Sequence, residues 1–254
     1  MKNITSLNFL LFVFLTTFSS NGQPSNEVLV DNTKYVNTFI GTGGHGHTFP
    51  GATTPYGMVQ LSPDTRTLGW DACGGYHYTD SSILGFSHTH LSGTGISDLG
   101  DFLFMPFSGD AKVTPGTPEN PNSGYRSRYS HSNEKSSPGY YSVLLEDYDI
   151  DVEVTSTKRV GFHKYRFIKG GKSGVIIDLS HNIYPDHKPN HQFKLINKTE
   201  IAGYKGSGGW AVTQDIFFHA KFNKPFTVTF YENGKKIAHL PTGKSKHLVA
   251  VLSF

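Results

Sequence analysis

The sequence predicts an all-β fold, an antiparallel β-sandwich, on three observations. Short runs rich in Val, Ile, Phe, Tyr and Thr recur from residue 58 to the end of the 254-residue chain. Clusters of Gly, Asn and Pro punctuate them, and hardly any stretch beyond residue 23 repeats apolar side chains at helical spacing. In chain order the strand-forming runs cover 58–61, 102–107, 139–145, 150–154, 160–167, 173–179, 210–220, 225–231 and 246–254. The clusters 169–172 (KGGK), 206–209 (GSGG) and 232–234 (ENG) mark turns, because Gly and Asn reach backbone angles that other residues resist. Regular short strands with such punctuation pair into two packed sheets.

One run shows its two faces directly. Residues 147, 149, 151 and 153 are all acidic, while Ile150, Val152 and Val154 occupy the alternate positions. A strand with this pattern buries one face and wets the other. Lys164 and Arg166 recur at the same spacing in the next run, where antiparallel pairing would set them across from the acids. A calcium site is the alternative reading of four acids, although a straight strand spreads its carboxylates too far to converge on one ion.

Composition excludes several classes. Charged residues make up 17% of the chain and apolar residues 36%, which is the balance of a packed core rather than of a disordered segment. A formal charge of +3, with its cations scattered, supplies no patch for nucleic acid or an acidic membrane. Residues 1–22 read as a secretory signal: Lys2 precedes the apolar stretch 7–18, which is too short to span a bilayer, and small residues Ser20 and Gly22 follow. A buried N-terminal helix is the alternative. The expected organisation is a signal at 1–22 and a single β domain at 23–254, exported and without a membrane span once the signal is removed. The lone Cys73 cannot form an internal disulfide; it is a buried or loop residue, or a reactive thiol.

Between residues 37 and 125 the composition changes. Residues 41–51 (GTGGHGHTFPG) hold five glycines in eleven positions, 69–78 read GWDACGGYHY, and 85–101 read GFSHTHLSGTGISDLGD. Gly lets the backbone turn tightly, and aromatics offer flat contact surface, so such stretches suit rigid binding loops. Sandwich turns with ordinary buried aromatics have the same composition. Residues 41–46 match G-x-G-x-x-G, but Phe49-Pro50-Gly51 follows where a dinucleotide site needs a helix. The chain lacks G-x-S-x-G, H-E-x-x-H, Walker and C-x-x-C sequences, which leaves nucleophilic hydrolase and zinc-protease templates without support. His45 with His47, and His88 with His90, are spaced to share a face of an extended segment. They read as hydrogen-bond donors, as packed loop residues, or as ligands of a transition metal.

Four strings carry a resemblance: YVNTFIGTG (35–43), FPGATTPYGMVQLSPDT (49–65), GYHY (75–78) and GFSHTHLSGTGISDLGD (85–101). Together they resemble the N-terminal domain of glycoside hydrolase family 92, a family of exo-acting α-mannosidases, many of which remove α-1,2-linked mannose. The likeness runs from about residue 33 to 110. It implies a β-sandwich followed by a longer helical (α/α)6 domain, with a calcium-dependent, inverting active site in the cleft between them. It also implies that the general acid, the general base and most Ca2+ ligands belong to that C-terminal helical domain. The sequence ends at Phe254 without such a domain, so a fragment is expected, with no catalytic residue of its own. Asp71, Asp98 and Asp101 have no feature that marks an acid–base pair.

The expected contribution of this half is a wall for the terminal sugar of a mannose-containing glycan. Pyranose C–H faces pack on aromatic rings, and hydroxyls need fixed donors and acceptors. Trp70 is the first choice for ring contact and Asp71 for a hydroxyl acceptor. His88, His90 and the Gly43–Gly44 backbone follow as further cleft-facing positions. Trp70 as an anchor of the sandwich core, and Asp71 as a turn cap, are the plainer roles. A stand-alone carbohydrate-binding or interaction module, or a half that only supports the fold, remain the competing functions. The resemblance points to glycan-degrading bacteria, hence to secretion and a bacterial periplasm.

Overall fold

The computed structural model describes residues 31–183, 190–240, 245 and 247–254; the signal expected at 1–22 lies outside them. Among the described residues the first strands are β1 (Ala52–Thr53), β2 (Gln60–Asp64), β3 (Ser82–Ile83), β4 (Gly85–Ser87), β5 (Leu103–Ser108) and β6 (Ser127–Arg128). Then follow β7 (Glu134–Ser137), β8 (Tyr140–Leu145), β9 (Ile150–Ser156), β10 (Gly161–Phe167), β11 (Ser173–Asp178) and β12 (Asn190–Leu195). The last are β13 (Glu200–Ser207), β14 (Gln214–Lys221), β15 (Thr227–Glu232), β16 (Lys235–Ile237) and β17 (Leu248–Ser253). Helix in the described residues is confined to short 3₁₀ turns. The fold is all-β and antiparallel, and each of the nine expected runs overlaps a strand.

A central sheet in the order β1-β2-β4-β5-β11-β17-β15-β16 is apolar on both faces. Successive side chains of a strand point to opposite faces. Thus Leu103, Met105, Ile176, Val249 and Val251 enter one core, while Phe104, Val175, Ile177, Leu248, Ala250 and Leu252 enter a second. That double burial explains why these runs are continuously hydrophobic rather than alternating. The first core is closed by the sheet β10-β9-β8-β7 through Tyr141, Val143, Ile150, Val152 and Val154. The second is closed by β12-β13-β14 through Phe193, Ile201 and Phe218. The sandwich therefore carries a further layer.

The acidic strand behaves as its alternation demands. Lys164 lies opposite Glu153 and Arg166 opposite Asp151 in the β9–β10 register. Lys164 reaches Glu153 at 2.7 Å, Arg166 pairs with Asp151, Lys169 with Asp149 and Arg128 with Asp147. Each carboxylate has its own cation, so repulsion along the strand is relieved without a shared metal ion. At 232–234 the expected turn forms: Asn233 (φ 51°) and Gly234 (φ 75°) join β15 to β16, the left-handed pair that matches strand twist.

The expected turn at 206–209 is corrected, since Gly206 and Ser207 continue β13 opposite Asp215 and Gln214. The run EIAGYKGS looks too polar and too rich in Gly for a strand, yet β13 is the middle of its sheet. Gly203 is required there because a Cβ would come within 2.2 Å of the Phe218 ring. Trp210 to Thr213, expected within a strand, instead lie in the connection between β13 and β14.

Two histidines, His88 and His163, meet beside the Phe104 ring. Tyr165 donates its hydroxyl to His163 Nδ1 (2.8 Å), His163 and His88 meet through Nε2 at 3.0 Å, and His88 Nδ1 donates to the Phe102 carbonyl (2.7 Å). This proton order closes only if both rings are neutral. Burial pushes His88 down to about 4 and His163 well below its ordinary value. His191, also buried and facing Lys205, is held at about 4.

Two outcomes follow for stability. In urea unfolding, Ile176→Ala is expected to cost about 2–5 kcal/mol, because the methyls it removes are fully buried. Arg166→Ala, on an exposed pair, should cost under about 1 kcal/mol; equal losses would show that the central sheet is not the shared core. The unfolded chain takes up its histidine protons near pH 6.5, whereas the folded chain resists until about pH 4. Stability should therefore be complete above that window and decline as pH falls through it. A flat profile would contradict the neutral histidine bridge.

Candidate functional site

The Gly-rich segment 41–48 is a tight loop tied to the strand-free stretch around 75–80. Gly41 and Gly44 take φ values of 82° and 59°, and a Cβ on Gly46 would sit 2.0 Å from the Gly41 carbonyl oxygen. Glycine at 46 is thus a steric requirement of the crossing. The Thr42 carbonyl accepts from the Tyr78 amide (2.8 Å), and the Gly44 carbonyl faces His77 Nε2 (3.0 Å). Buried Glu134 anchors the same stretch from below, accepting from Tyr76 and Tyr141 hydroxyls and from His131.

Against this loop stands the turn Trp70–Ala72, entered through Gly69 at φ 93°. The Cys73 thiol donates to the Trp70 carbonyl (3.0 Å) and receives Ser97 Oγ at 3.5 Å, so it is a buried loop residue that closes the turn. Trp70 is 62% exposed, with its ring edge-on to His47 (centroids 5.2 Å apart, 73°). Gly95 lies under the ring, where a Cβ would come within 2.5 Å of it. Trp70 therefore does not anchor the sandwich core. Beside it, Asp71 Oδ1 accepts from His45 Nδ1 at 2.9 Å, and His47 Nε2 stands 3.7 Å away. The His45 hydrogen bond holds the Asp71 carboxyl below its ordinary value, so at neutral pH it is an ionised acceptor, oriented by the imidazole.

Trp70, Asp71 and the Gly43–Gly44 loop are accordingly brought together on an open surface. His88 and His90 are placed elsewhere. His88 belongs to the neutral bridge with His163, and His90 is fully buried, with Nδ1 on the Gln60 carbonyl and Nε2 on Asp64 (both 2.7 Å). The reason is the partner each finds: a core carboxylate or carbonyl satisfies a buried imidazole that a surface would leave in water. Asp64 also receives His181 Nε2 at 2.7 Å. Burial pushes the Asp64 carboxyl up, but the two imidazoles outweigh it and hold it well below the ordinary range. Gly75, which leaves the Trp70 turn, packs on this carboxylate, where a Cβ would come within 2.2 Å of Oδ1.

Neither of the other acids is an open acid or base. Asp101 is fully buried with Lys205 at 3.0 Å and accepts from Thr89 Oγ1 at 2.6 Å. Asp98 accepts from the Trp210 amide (2.9 Å) and from Gln214, pinning the β13–β14 connection to the loop that holds Gly95. Both tryptophans of the chain are exposed, Trp210 at 67%, and both are tied to that loop. Sequence reasoning missed Gly95 and Trp210, whose roles rest on contacts distant in the chain. It noticed the His45–His47 spacing, and both rings stand near one carboxylate, His45 bonded to it at 2.9 Å and His47 at 3.7 Å without a hydrogen bond. Among the described residues no group of three or more His, Cys, Asp or Glu converges to hold a metal ion, and no helix is long and apolar enough to cross a membrane.

Residues 35–254 match the glycosyl hydrolase family 92 N-terminal domain. Among solved structures, a family GH92 α-mannosidase from Bacteroides thetaiotaomicron, determined in complex with mannoimidazole, is 41% identical over 87% of this chain, with a TM-score of 0.82. A family GH92 inverting mannosidase from Bacteroides thetaiotaomicron VPI-5482 is 25% identical over 87% of this chain, with a TM-score of 0.70. A curated relative, described as an uncharacterized secreted glycosidase of Arthroderma benhamiae, is 32% identical over 54% of the chain. The chain spans 30% and 29% of the two solved structures and 17% of the curated relative. With an all-β architecture, its characteristic loops gathered around Trp70, and a family match over nearly all described residues, the chain belongs to glycosyl hydrolase family 92, whose N-terminal domain it carries.

Proposed function

We propose that the chain is the sugar-facing half of an exo-acting α-mannosidase, working with a C-terminal helical domain that supplies the general acid and base. The observation that carries this reading is the exposed Trp70 ring standing beside an oriented, ionised Asp71. The ring would receive the C–H face of a terminal mannose, and Asp71 would accept from one or more of its hydroxyls. An inverting hydrolase needs a protonated carboxyl at the leaving oxygen and a carboxylate that activates water from the opposite face. Asp71, ionised and oriented by His45, suits hydroxyl binding rather than proton delivery. Its role is to fix the sugar while groups from the other domain act on the glycosidic bond.

The calcium implied by the resemblance finds no fitting donor set in the described residues. Calcium takes several oxygen ligands, and the neighbours of Asp71 are imidazoles. Its ligands would come from the helical domain. Export is supported by the expected signal at 1–22 and by a curated relative described as secreted, and the periplasm is the compartment that the resemblance to glycan-degrading bacteria suggests.

The 254-residue chain alone is expected to release no mannose from α-mannobiose, whereas a protein extended by a helical domain releases it. Turnover by the short chain would overturn this division of labour. If the short chain instead binds mannose tightly, without regard to calcium, a carbohydrate-binding module becomes the better reading. In the extended protein, Trp70→Ala and Asp71→Asn should each lower kcat/KM by about tenfold or more, as expected for loss of ring contact or of a charge-assisted hydrogen bond. Unchanged kcat and KM for both variants would leave this half a purely supporting role.

A further inference from the structure

We infer that His47 is a hydroxyl-recognition residue: its buried Nε2 and the Asp71 carboxylate bracket one hydroxyl of the bound sugar. This rests on the sugar-facing reading of Trp70 and Asp71 and adds to it a specific donor. The His47 side chain is only 8% exposed, and Nε2 is buried without a hydrogen-bond partner. Buried polar atoms are nearly always paired, and leaving one unpaired costs about 1–3 kcal/mol. The atom is not aimed into the core. It points toward the face formed by Trp70 and Asp71, 3.7 Å from Asp71 Oδ1, which is too long for a direct hydrogen bond.

The chemistry of the pair selects the ligand. Asp71 is ionised and can only accept, so a group placed between the two must donate to the carboxylate. The same group must also satisfy an imidazole nitrogen, which it does by accepting from Nε2–H. A hydroxyl does both with a single oxygen. With the proton on Nε2, an ammonium group has no lone pair to offer that N–H, and a carboxylate would repel Asp71. The Trp70 ring edge lies against His47, so that hydroxyl would sit at the margin of the aromatic platform, where a pyranose projects its oxygens. His45, at 85% exposure, holds Asp71 from the solvent side and leaves the inner side to His47. The backbone fixes the imidazole in place: the His47 carbonyl accepts from the Gly93 amide at 2.7 Å, and Gly74 packs against the 47–48 peptide.

The test is a titration of the protein extended by a helical domain, labelled with ¹⁵N in histidine and tryptophan, with methyl α-D-mannopyranoside. Correlation spectra report His47 Nε2 and the Trp70 indole separately. Both signals should move saturably with one dissociation constant, and one member of a series of monodeoxy methyl mannosides should still shift Trp70 while leaving His47 unmoved. A Trp70 response with no His47 response to any sugar overturns this inference and leaves the parent reading intact. Silence at both positions overturns the parent reading and this one with it. His47→Gln, checked for folding by its thermal transition, should weaken binding about tenfold, and wild-type affinity in a folded variant would also overturn the assignment.

Discussion

The buried carboxylate of Asp64, holding His90 and His181 at 2.7 Å each, is the contact on which the surroundings of the site depend. Asp64 ends β2, His90 follows β4, and His181 follows β11, so one side chain ties three segments of the central sheet. Its backbone carbonyl also receives the Leu84 amide at 2.7 Å. Removing either partner of such a buried pair costs about 3–5 kcal/mol, because the remaining charge stays out of water. The Trp70 turn rests on this group through Gly75, whose lack of a side chain lets the backbone come down onto the carboxylate.

From that floor the exposed face is assembled by loops rather than by strands. Gly46 permits the 41–48 crossing, Cys73 and Ser97 close the turn, and Gly95 makes room for the Trp70 ring. A second buried pair, Lys205 with Asp101, and the acceptor Asp98 fasten the β13–β14 connection to the same loop. The consequence is a rigid rim, with Trp70 and Trp210 on the outside and charged groups satisfied underneath. Rigid loops on a packed scaffold suit recognition of a sugar, whose hydroxyls discriminate only against fixed partners.

Much of the scaffold was legible because its physics is local. Continuous apolar runs such as 102–107 and 173–179 are strands buried on both faces, and the alternation of acids with Ile150, Val152 and Val154 foretold both burial and the Lys164 and Arg166 pairing. β13 escaped notice because its buried face consists of Ile201, Gly203 and Lys205, which make sense only opposite Phe218 and Asp101. At the site, Trp70, Asp71, Gly43 and Gly44 were recognisable as residue types suited to a binding loop. The fate of the histidines was not: His88 and His90 turned inward, while His45 and His47 turned toward Asp71.

By itself the sequence determined the all-β class, most strand positions, the turn at 232–234 and the family, since periodicity, turn chemistry and long unusual strings are written along the chain. Only the tertiary structure decided that Trp70 faces solvent, that Asp71 is oriented by His45, and that His47 Nε2 is buried without a partner. The physical reason is that a side chain's exposure and protonation depend on what long-range folding brings against it, and for Trp70, Asp71 and His47 those neighbours lie 23 to 26 residues away in sequence.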